Sequence, residues 1–408
     1  MDKKRWLYLP VEIKVRELDA KLLLAYYAAK KGYEVVIGDH IMVELASDIY
    51  PEGIFFSKGY PHGFRKRVIT RANANRHKIV ELDEEGLLIK GKQYLQDRMR
   101  KDMLELVVQE YCWGEFQHRI ITKGYPDLAE KCHITGNPRF DLLAPKFRRL
   151  YQKESEQVIE KYGDFVLINT RFSRYNSAKG KKDNVHFKHI KKLYFSFLEL
   201  VGEVSTQYPE TNFVIRPHPG ESFQAYSKAF STNKNVHVIH EGNIAKWLAA
   251  AKVVIHNGCT SGIEASLLGR TLISYVPFPP NKREVNLPNQ LGIMASTKEA
   301  VCSILEEALV YKDTDQSKND LVRYCHWYEG KYAHEAIIDL CNQIPLYKPS
   351  RKEPTGNVKK GYAKKRKRIF SLTKEEISQF YRKLDEVEGG SGTVVKELGE
   401  NLYRISYT

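Results

Sequence analysis

The chain has 408 residues, 42% of them hydrophobic and 28% charged, with a formal net charge of +15. That length exceeds what one hydrophobic core ordinarily serves and predicts two domains of ordinary size. The composition is globular, and no apolar run approaches the roughly 18–20 residues that cross a bilayer.

The opening MDKKRWLYLPVEIK has neither the apolar stretch nor the small-residue cleavage site of a secretory leader. Trp6–Pro10 reads as a buried strand, Val15–Lys31 as a helix closed by Gly32, and Tyr33–Gly38 as a second strand, a Rossmann-like start. No GxGxxG accompanies it, so a dinucleotide cofactor is not supported. Short strands are predicted at Gly53–Ser57, Lys78–Leu82 and Leu106–Cys112, a helix over Trp113–Lys123, and a last strand at His133–Gly136. A charged helical stretch to about Tyr162 suits an inter-domain connector. Six cysteines lie scattered without CxxC or CxxH spacing, so they read as reduced thiols of a cytoplasmic chain.

The second domain alternates in the same way. Strands are predicted at Phe165–Asn169, Asn212–Arg216, Val236–Ile239, Lys252–His256 and Thr271–Val276. Helices are predicted at His186–Tyr208, Ile244–Ala251, Thr297–Tyr311 and Lys318–Ile344, with an open loop over Ser173–Asn184. After Pro345 the composition changes. Arg351–Arg368 carries nine Lys or Arg against one Glu, and reads either as a solvated run or as a peripheral contact with anionic membrane. A helix over Leu372–Val387, with Thr373 as N-cap, and two strand-like pieces complete a tail that reads as a small appendage or membrane-proximal arm.

Two stretches carry the chemistry. FVIRPHPGE (213–221) and VVIHNGCTSGIEASLLG (253–269) each run from a buried strand into a loop, where ligands bind in open α/β sheets. Gly258 and Gly262 allow close backbone approach, and Thr260 and Ser261 precede a helix start, which makes an anion site; the plain alternative is a hydroxyl N-cap. His218 is held stiffly between Pro217 and Pro219 beside Arg216, placed to hydrogen-bond a leaving phosphate. Glu241 is placed either to accept ribose hydroxyls or to cap the next helix, and Arg171 to meet a phosphate or a substrate carboxylate or to form an ordinary ion pair. In the first domain, Glu81-Leu82-Asp83-Glu84-Glu85-Gly86 sets three carboxylates in a row behind a strand. They form either a solvated turn or a general base raised by like-charged neighbours. No Asp-x-Asp or HxH pattern points to a metal near these loops, and none is expected.

The order RPHP, His-Glu-Gly, Thr-Ser resembles the donor site of GT-B-type bacterial transferases that use CMP-activated sugars, the sialyltransferases and Kdo transferases. In that group an HP motif and a hydroxyl pair contact the donor phosphate, an acid between them contacts ribose, and a (D/E)(D/E)G motif supplies the base. His218-Pro219, Glu241, Thr260-Ser261 and Glu84-Glu85-Gly86 match in order, with Glu85 in the position of the base and Glu84 its alternative. LPVEIKVRELDAKLLLA and WGEFQ…ITGNPRFD are also similar to the family of surface carbohydrate biosynthesis proteins, over about residues 6–345.

The resemblance implies an α/β, GT-B-like fold of two Rossmann-like doubly wound domains facing across a cleft. Residues 1–155 form the acceptor domain, 156–345 the donor domain and 346–408 the basic tail. It implies a metal-independent glycosyltransferase of capsule- or lipopolysaccharide-type synthesis, moving a nonulosonic acid or Kdo from CMP to a glycan or lipid-linked acceptor. Arg171, Arg216, Pro219, Glu241, Gly258, Thr260, Ser261 and Glu264 would face the donor, with His218 beside them. Glu12, Arg16, Glu17 and Asp19 would face the acceptor. The alternatives are a CDP-glycerol glycerophosphotransferase or a UDP-sugar enzyme of the same fold, and a non-catalytic basic protein of the membrane surface or of nucleic acid. No nucleic-acid-binding motif is present, so no nucleic-acid partner is expected. The expected location is cytoplasmic, with residues 351–368 able to touch the inner face of the membrane.

Overall fold

The computed structural model describes residues 4–59, 62–177, 184–239, 241–279, 285–310, 321, 323–326, 330–358 and 370–408. His240, residues 178–183 of the loop over 173–184, the basic residues 359–368 and much of 318–332 lie outside them. The chain divides into two compact units, Met1–Leu150 with Asp320–Thr408, and Tyr151–Asn319.

Unit 1 is built on β1 (Arg5–Val11), β2 (Tyr33–Asp39), β3 (Ile54–Ser57), β4 (Lys78–Glu81), β5 (Gln109–Cys112) and β6 (Cys132–Ile134). These six pair in parallel in the order β2-β1-β3-β4-β5-β6. The order reverses between β1 and β3, the topological switch point of a doubly wound sheet. The strands are apolar on both faces because helices cover both, and Leu7, Tyr8, Leu9, Val35, Val36, Ile37, Ile54 and Phe55 have no more than 1% of their surface exposed.

Unit 2 holds six parallel strands, β7 (Phe165–Asn169), β8 (Asn212–Arg216), β9 (Val236–Val238), β10 (Val253–His256), β11 (Thr271–Tyr275) and β12 (Ile293–Ala295). Their order is β12-β11-β10-β7-β8-β9, the Rossmann order read from one edge, with its switch point between β7 and β10. The helix Val185–Gln207 covers one face through Ile190, Leu193, Phe197, Leu200, Val201 and Val204.

The tail departs from expectation. Residues 370–408 are not an appendage: β13 (Thr393–Gly399) and β14 (Leu402–Tyr407) extend the unit 1 sheet, with β14 antiparallel to β2. The helix Lys374–Glu388 starts at Thr373, whose hydroxyl accepts from Glu376 N–H at 3.2 Å while the Glu376 side chain returns to the Thr373 N–H, a complete capping box. It lies on the helix Lys14–Lys30, where Tyr26 and Tyr27 donate to Asp385 and Glu388 at 2.7 and 2.6 Å. Arg351, the first residue of the basic run, is not a solvated cation. Its guanidinium donates to the carbonyls of Ser47, Asp48 and Asn75, and its neighbour Ser350 is bound by buried Glu52.

The helix expected over 318–344 is described only as Ala333–Gln343, and it too belongs to unit 1. Residues 323–326 are turn and coil, not helix. Asp141 explains the start. Its carboxylate accepts from the N–H groups of Ala333 and His334 and from His334 Nδ1, at 2.8–3.0 Å, satisfying the helix's first donors from across the unit. All six cysteines are free thiols. No described helix is long and apolar enough to cross a membrane.

Candidate functional site

In unit 2 the expected donor residues gather at the carboxyl ends of β7, β8, β9 and β10. Arg171, beyond β7, turns to the β10 loop and donates from Nε to the Asn257 carbonyl at 2.5 Å and from Nη2 to Asn257 Oδ1 at 3.2 Å. Gly258 follows at φ +59°, and a side chain there would meet the Arg171 guanidinium within 2.8 Å. Asn289 Oδ1 accepts the Gly258 N–H at 2.6 Å, and Asn257 Nδ2 donates to the Tyr275 carbonyl at 2.7 Å. Arg171 thus organises the loop at the switch point.

The helix Thr260–Leu267 opens from this loop. Its N-cap is Cys259, with no side-chain cap, so neither hydroxyl of the pair is spent as a cap. Thr260 is half-buried; Ser261 is buried and donates to Cys259 Sγ at 3.0 Å. Beneath the first turn lies His256, fully buried. Burial, with the Arg171 guanidinium beside it, pushes its pKa down to about 3, so the ring is neutral. Its Nδ1 accepts the Cys259 N–H at 3.3 Å and its Nε2 meets Ser274 Oγ at 3.1 Å. Gly262 sits on that ring, where a Cβ would approach Cε1 to 2.4 Å. The helix start is therefore seated on an imidazole that the sequence displays only as the last residue of a strand.

His218 stands exposed beyond β8, with Pro219 after it. Its Nδ1 accepts the Gly220 N–H at 3.1 Å, which puts the proton of a neutral ring on Nε2. Glu221 fixes this loop. Its Oε1 accepts from the His218 N–H at 3.1 Å and from Thr170 Oγ1 at 2.9 Å, and its Oε2 from Tyr226 at 2.6 Å. Burial raises the Glu221 pKa against these bonds, and the side chain ties β7 to the His-Pro turn. Glu221 was not among the expected site residues, although it ends the 213–221 stretch.

Arg216 spans β8 and β9. It donates to the Gly242 carbonyl at 3.1 Å and lies over the Trp247 ring. Burial lowers its pKa to about 10, against the opposing charges of Glu241 and Glu264, so it remains a cation. Glu241 is exposed and does not cap the next helix; Asn243 does, accepting the Ala245 N–H at 2.8 Å. Glu264 is buried in the helix behind Thr260.

In unit 1 each of the three carboxylates after β4 has its own cation, which offsets their mutual repulsion. Asp83 is fully buried and takes Arg98 at 2.5 and 2.9 Å and Tyr94 at 3.2 Å. Glu84 pairs with buried Lys21 at 3.1 Å. Glu85, half-exposed, pairs with Arg16 Nη1 at 2.5 Å, and Arg16 Nη2 also holds the Glu84 carbonyl at 2.9 Å. Of the two candidates for the base, Glu85 is the one open to solvent.

Of the acceptor-side candidates, Glu12 is exposed and receives Lys58 at 2.9 Å. Glu17 is buried, receiving Lys58 at 2.5 Å, Lys21 at 3.1 Å and the N–H groups of Glu12 and Ile13. Burial alone would raise its pKa, but Lys21 and Lys58 prevail and bring it to about 2. Since the folded value lies below the ordinary 4.5, Glu17 stabilises the fold fully above about pH 4.5, and that contribution is lost as the pH falls toward 2. We expect urea unfolding midpoints to drop across this window, on the order of 2–3 kcal/mol from this group, and Glu17→Gln to flatten the drop.

No family model matches the chain, and no curated protein does. Solved structures do. A UDP-GlcNAc 2-epimerase from Methanocaldococcus jannaschii, crystallised with UDP-GlcNAc and UDP, aligns with 83% of this chain and 99% of its own at 12% identity, TM-score 0.55. The Neisseria meningitidis UDP-GlcNAc 2-epimerase bound to UDP-GlcNAc aligns with 84% of this chain and 100% of its own at 13% identity, TM-score 0.52. A variant of the wall teichoic acid polymerase TagF aligns with 83% of this chain and 88% of its own at 12% identity, TM-score 0.51. At this identity the likeness establishes the fold: the chain is a GT-B-like α/β protein of two Rossmann-like units.

Proposed function

We propose that the protein is a glycosyltransferase of bacterial surface glycan synthesis whose unit 2 binds a nucleotide-linked donor and whose unit 1 supplies the base. Glu85 takes the proton of an acceptor hydroxyl, the oxygen attacks the anomeric carbon, and the bond from that carbon to the phosphate oxygen breaks. The leaving phosphate is held by His218, by Thr260 and Ser261, and by the backbone N–H groups at the start of the helix Thr260–Leu267. The donor proposed is a CMP-linked nonulosonic acid or Kdo, because the motif order matches CMP-sugar transferases and a monophosphate leaving group can be stabilised by protein donors. The observation that carries this reading is the switch point of unit 2, where Arg171, Asn257 and Gly258 shape a glycine loop beneath an uncapped helix start.

A UDP-linked sugar is the second reading, favoured by the shared fold with epimerases crystallised with UDP-GlcNAc. The likeness to a teichoic acid polymerase keeps CDP-glycerol beside it. Calorimetric titration with CMP, CDP and UDP separates the three. We expect CMP to bind at least as tightly as UDP, and His218→Ala to weaken CMP about 10–100-fold with the fold intact, the worth of a hydrogen bond to a charged group. Binding of UDP alone would move the assignment to the second reading. Absence of any nucleotide binding would remove both.

A further inference from the structure

The ITGNPRFD stretch (133–141 with its preceding histidine) has no part in the reaction above, yet its Asn137 lies in a pocket. The pocket opens at the unit 1 switch point, between the ends of β1, β3 and β4, the helix Lys14–Lys30 and the turn after β6. Leu9, Leu24, Phe56 and Leu82 form its apolar wall; Lys21, Lys58, Glu84 and Asn137 form its polar one. It has room for a water-sized group, not for a sugar ring.

Asn137 is 2% exposed. Its Oδ1 accepts the Arg139 N–H at 2.9 Å and caps the turn Pro138–Asp141, which fixes the orientation of the amide and leaves Nδ2 on the other side. Among the described residues Nδ2 is buried with no acceptor. A buried donor without a partner is costly, and a group at a pocket wall invites one from a ligand.

The charges around the pocket select the class of ligand. Lys21 and Lys58 stand against Glu12, Glu17 and Glu84, an excess of negative charge that disfavours a phosphate or carboxylate. A cation would meet the hydrogens of Asn137 Nδ2, which repel it. A neutral hydroxyl satisfies both walls, because its oxygen accepts from Asn137 and its proton points to Glu84. The pocket takes the hydroxyl alone, and the ring that carries it stays outside.

We infer that this pocket is an acceptor subsite that seats one hydroxyl of a neutral sugar, held by Asn137 Nδ2 beside Glu84. The inference rests on the transferase reading and names the acceptor class within it. Asn137→Ser retains a cap for the Arg139 N–H but is too short to reach the pocket, and Asn137→Asp retains the cap while replacing the donor. Ligand-observed NMR on the full chain, with the methyl glycosides of glucose, galactose and N-acetylglucosamine and with glycerol 3-phosphate as the anionic probe, tests it. We expect at least one glycoside to bind the wild type in preference to glycerol 3-phosphate, and its Kd to rise at least ten-fold in both variants with CMP affinity unchanged; the melting temperature stays unchanged in Asn137→Ser and falls in Asn137→Asp, which adds a buried carboxylate beside Glu84. No glycoside binding by the wild type, equal binding by both variants, or preference for glycerol 3-phosphate would each overturn the subsite. CMP titration on the same samples keeps the failures apart: lost nucleotide binding in the wild type removes the donor reading, whereas lost glycoside binding with CMP intact removes only this pocket.

Discussion

Replacing Glu85 with glutamine lowers turnover about 10²–10⁴-fold, the span that a positioned general base contributes, while leaving nucleotide affinity and melting temperature near wild type. Glutamine is nearly isosteric, and its carbonyl still accepts from Arg16 as the Glu85 Oε1 does at 2.5 Å. The loop is therefore preserved and only the proton acceptor is lost. The adjacent Glu84→Gln gives the opposite signature. Glu84 is buried against Lys21, which retains Glu17 and the Pro10 carbonyl, so its loss costs stability of about 1–3 kcal/mol more than it costs chemistry. Steady-state kinetics and thermal melts of the two variants distinguish the roles. Wild-type turnover in Glu85→Gln would move the base elsewhere.

A chain ending at residue 345 fails to fold unit 1 cooperatively. It lacks β14, which pairs with β2 from Leu402↔Gly38 to Ile405↔Val35, and the helix that covers Tyr26 and Tyr27. Ile377, Leu384, Leu402 and Ile405 are fully buried. Truncating one such side chain costs about 2–5 kcal/mol, so losing all of them consumes the 5–15 kcal/mol of a typical domain. Circular dichroism melts read the outcome: a broad, low-temperature transition is expected for the shortened chain. A sharp transition at the full-length temperature would make the tail an independent appendage after all.

The strands were legible because parallel strands covered on both faces appear as unbroken apolar runs. FVLIN, FVIR, VVIH and TLISY leave no other reading, and the reversals of strand order follow once two doubly wound sheets are accepted. What the sequence hid is what depends on distant partners. Asp141 caps the start of the helix Ala333–Gln343 from almost two hundred positions away, a partner no local pattern shows. The antiparallel pairing of β14 with β2 leaves no local mark in either strand. The acidic loop shows in sequence only as three adjacent carboxylates, either a solvated turn or a raised base; its cations come from elsewhere, and Arg98, Lys21 and Arg16 give each carboxylate a separate pair. His256 and Glu221 were in view, yet a buried titratable group looks in sequence like any other strand or loop residue. Their roles are set by burial, which the helix start on His256 and the His-Pro turn on Glu221 make visible.

The most direct test of the account is a crystal structure of the full chain with CMP. The phosphate is expected at the start of the helix Thr260–Leu267, within hydrogen-bond distance of Thr260 or Ser261 and of His218 Nε2, with the ribose beside Glu241. CMP bound away from the carboxyl ends of β7–β10, or absent from them at saturating concentration, would contradict it.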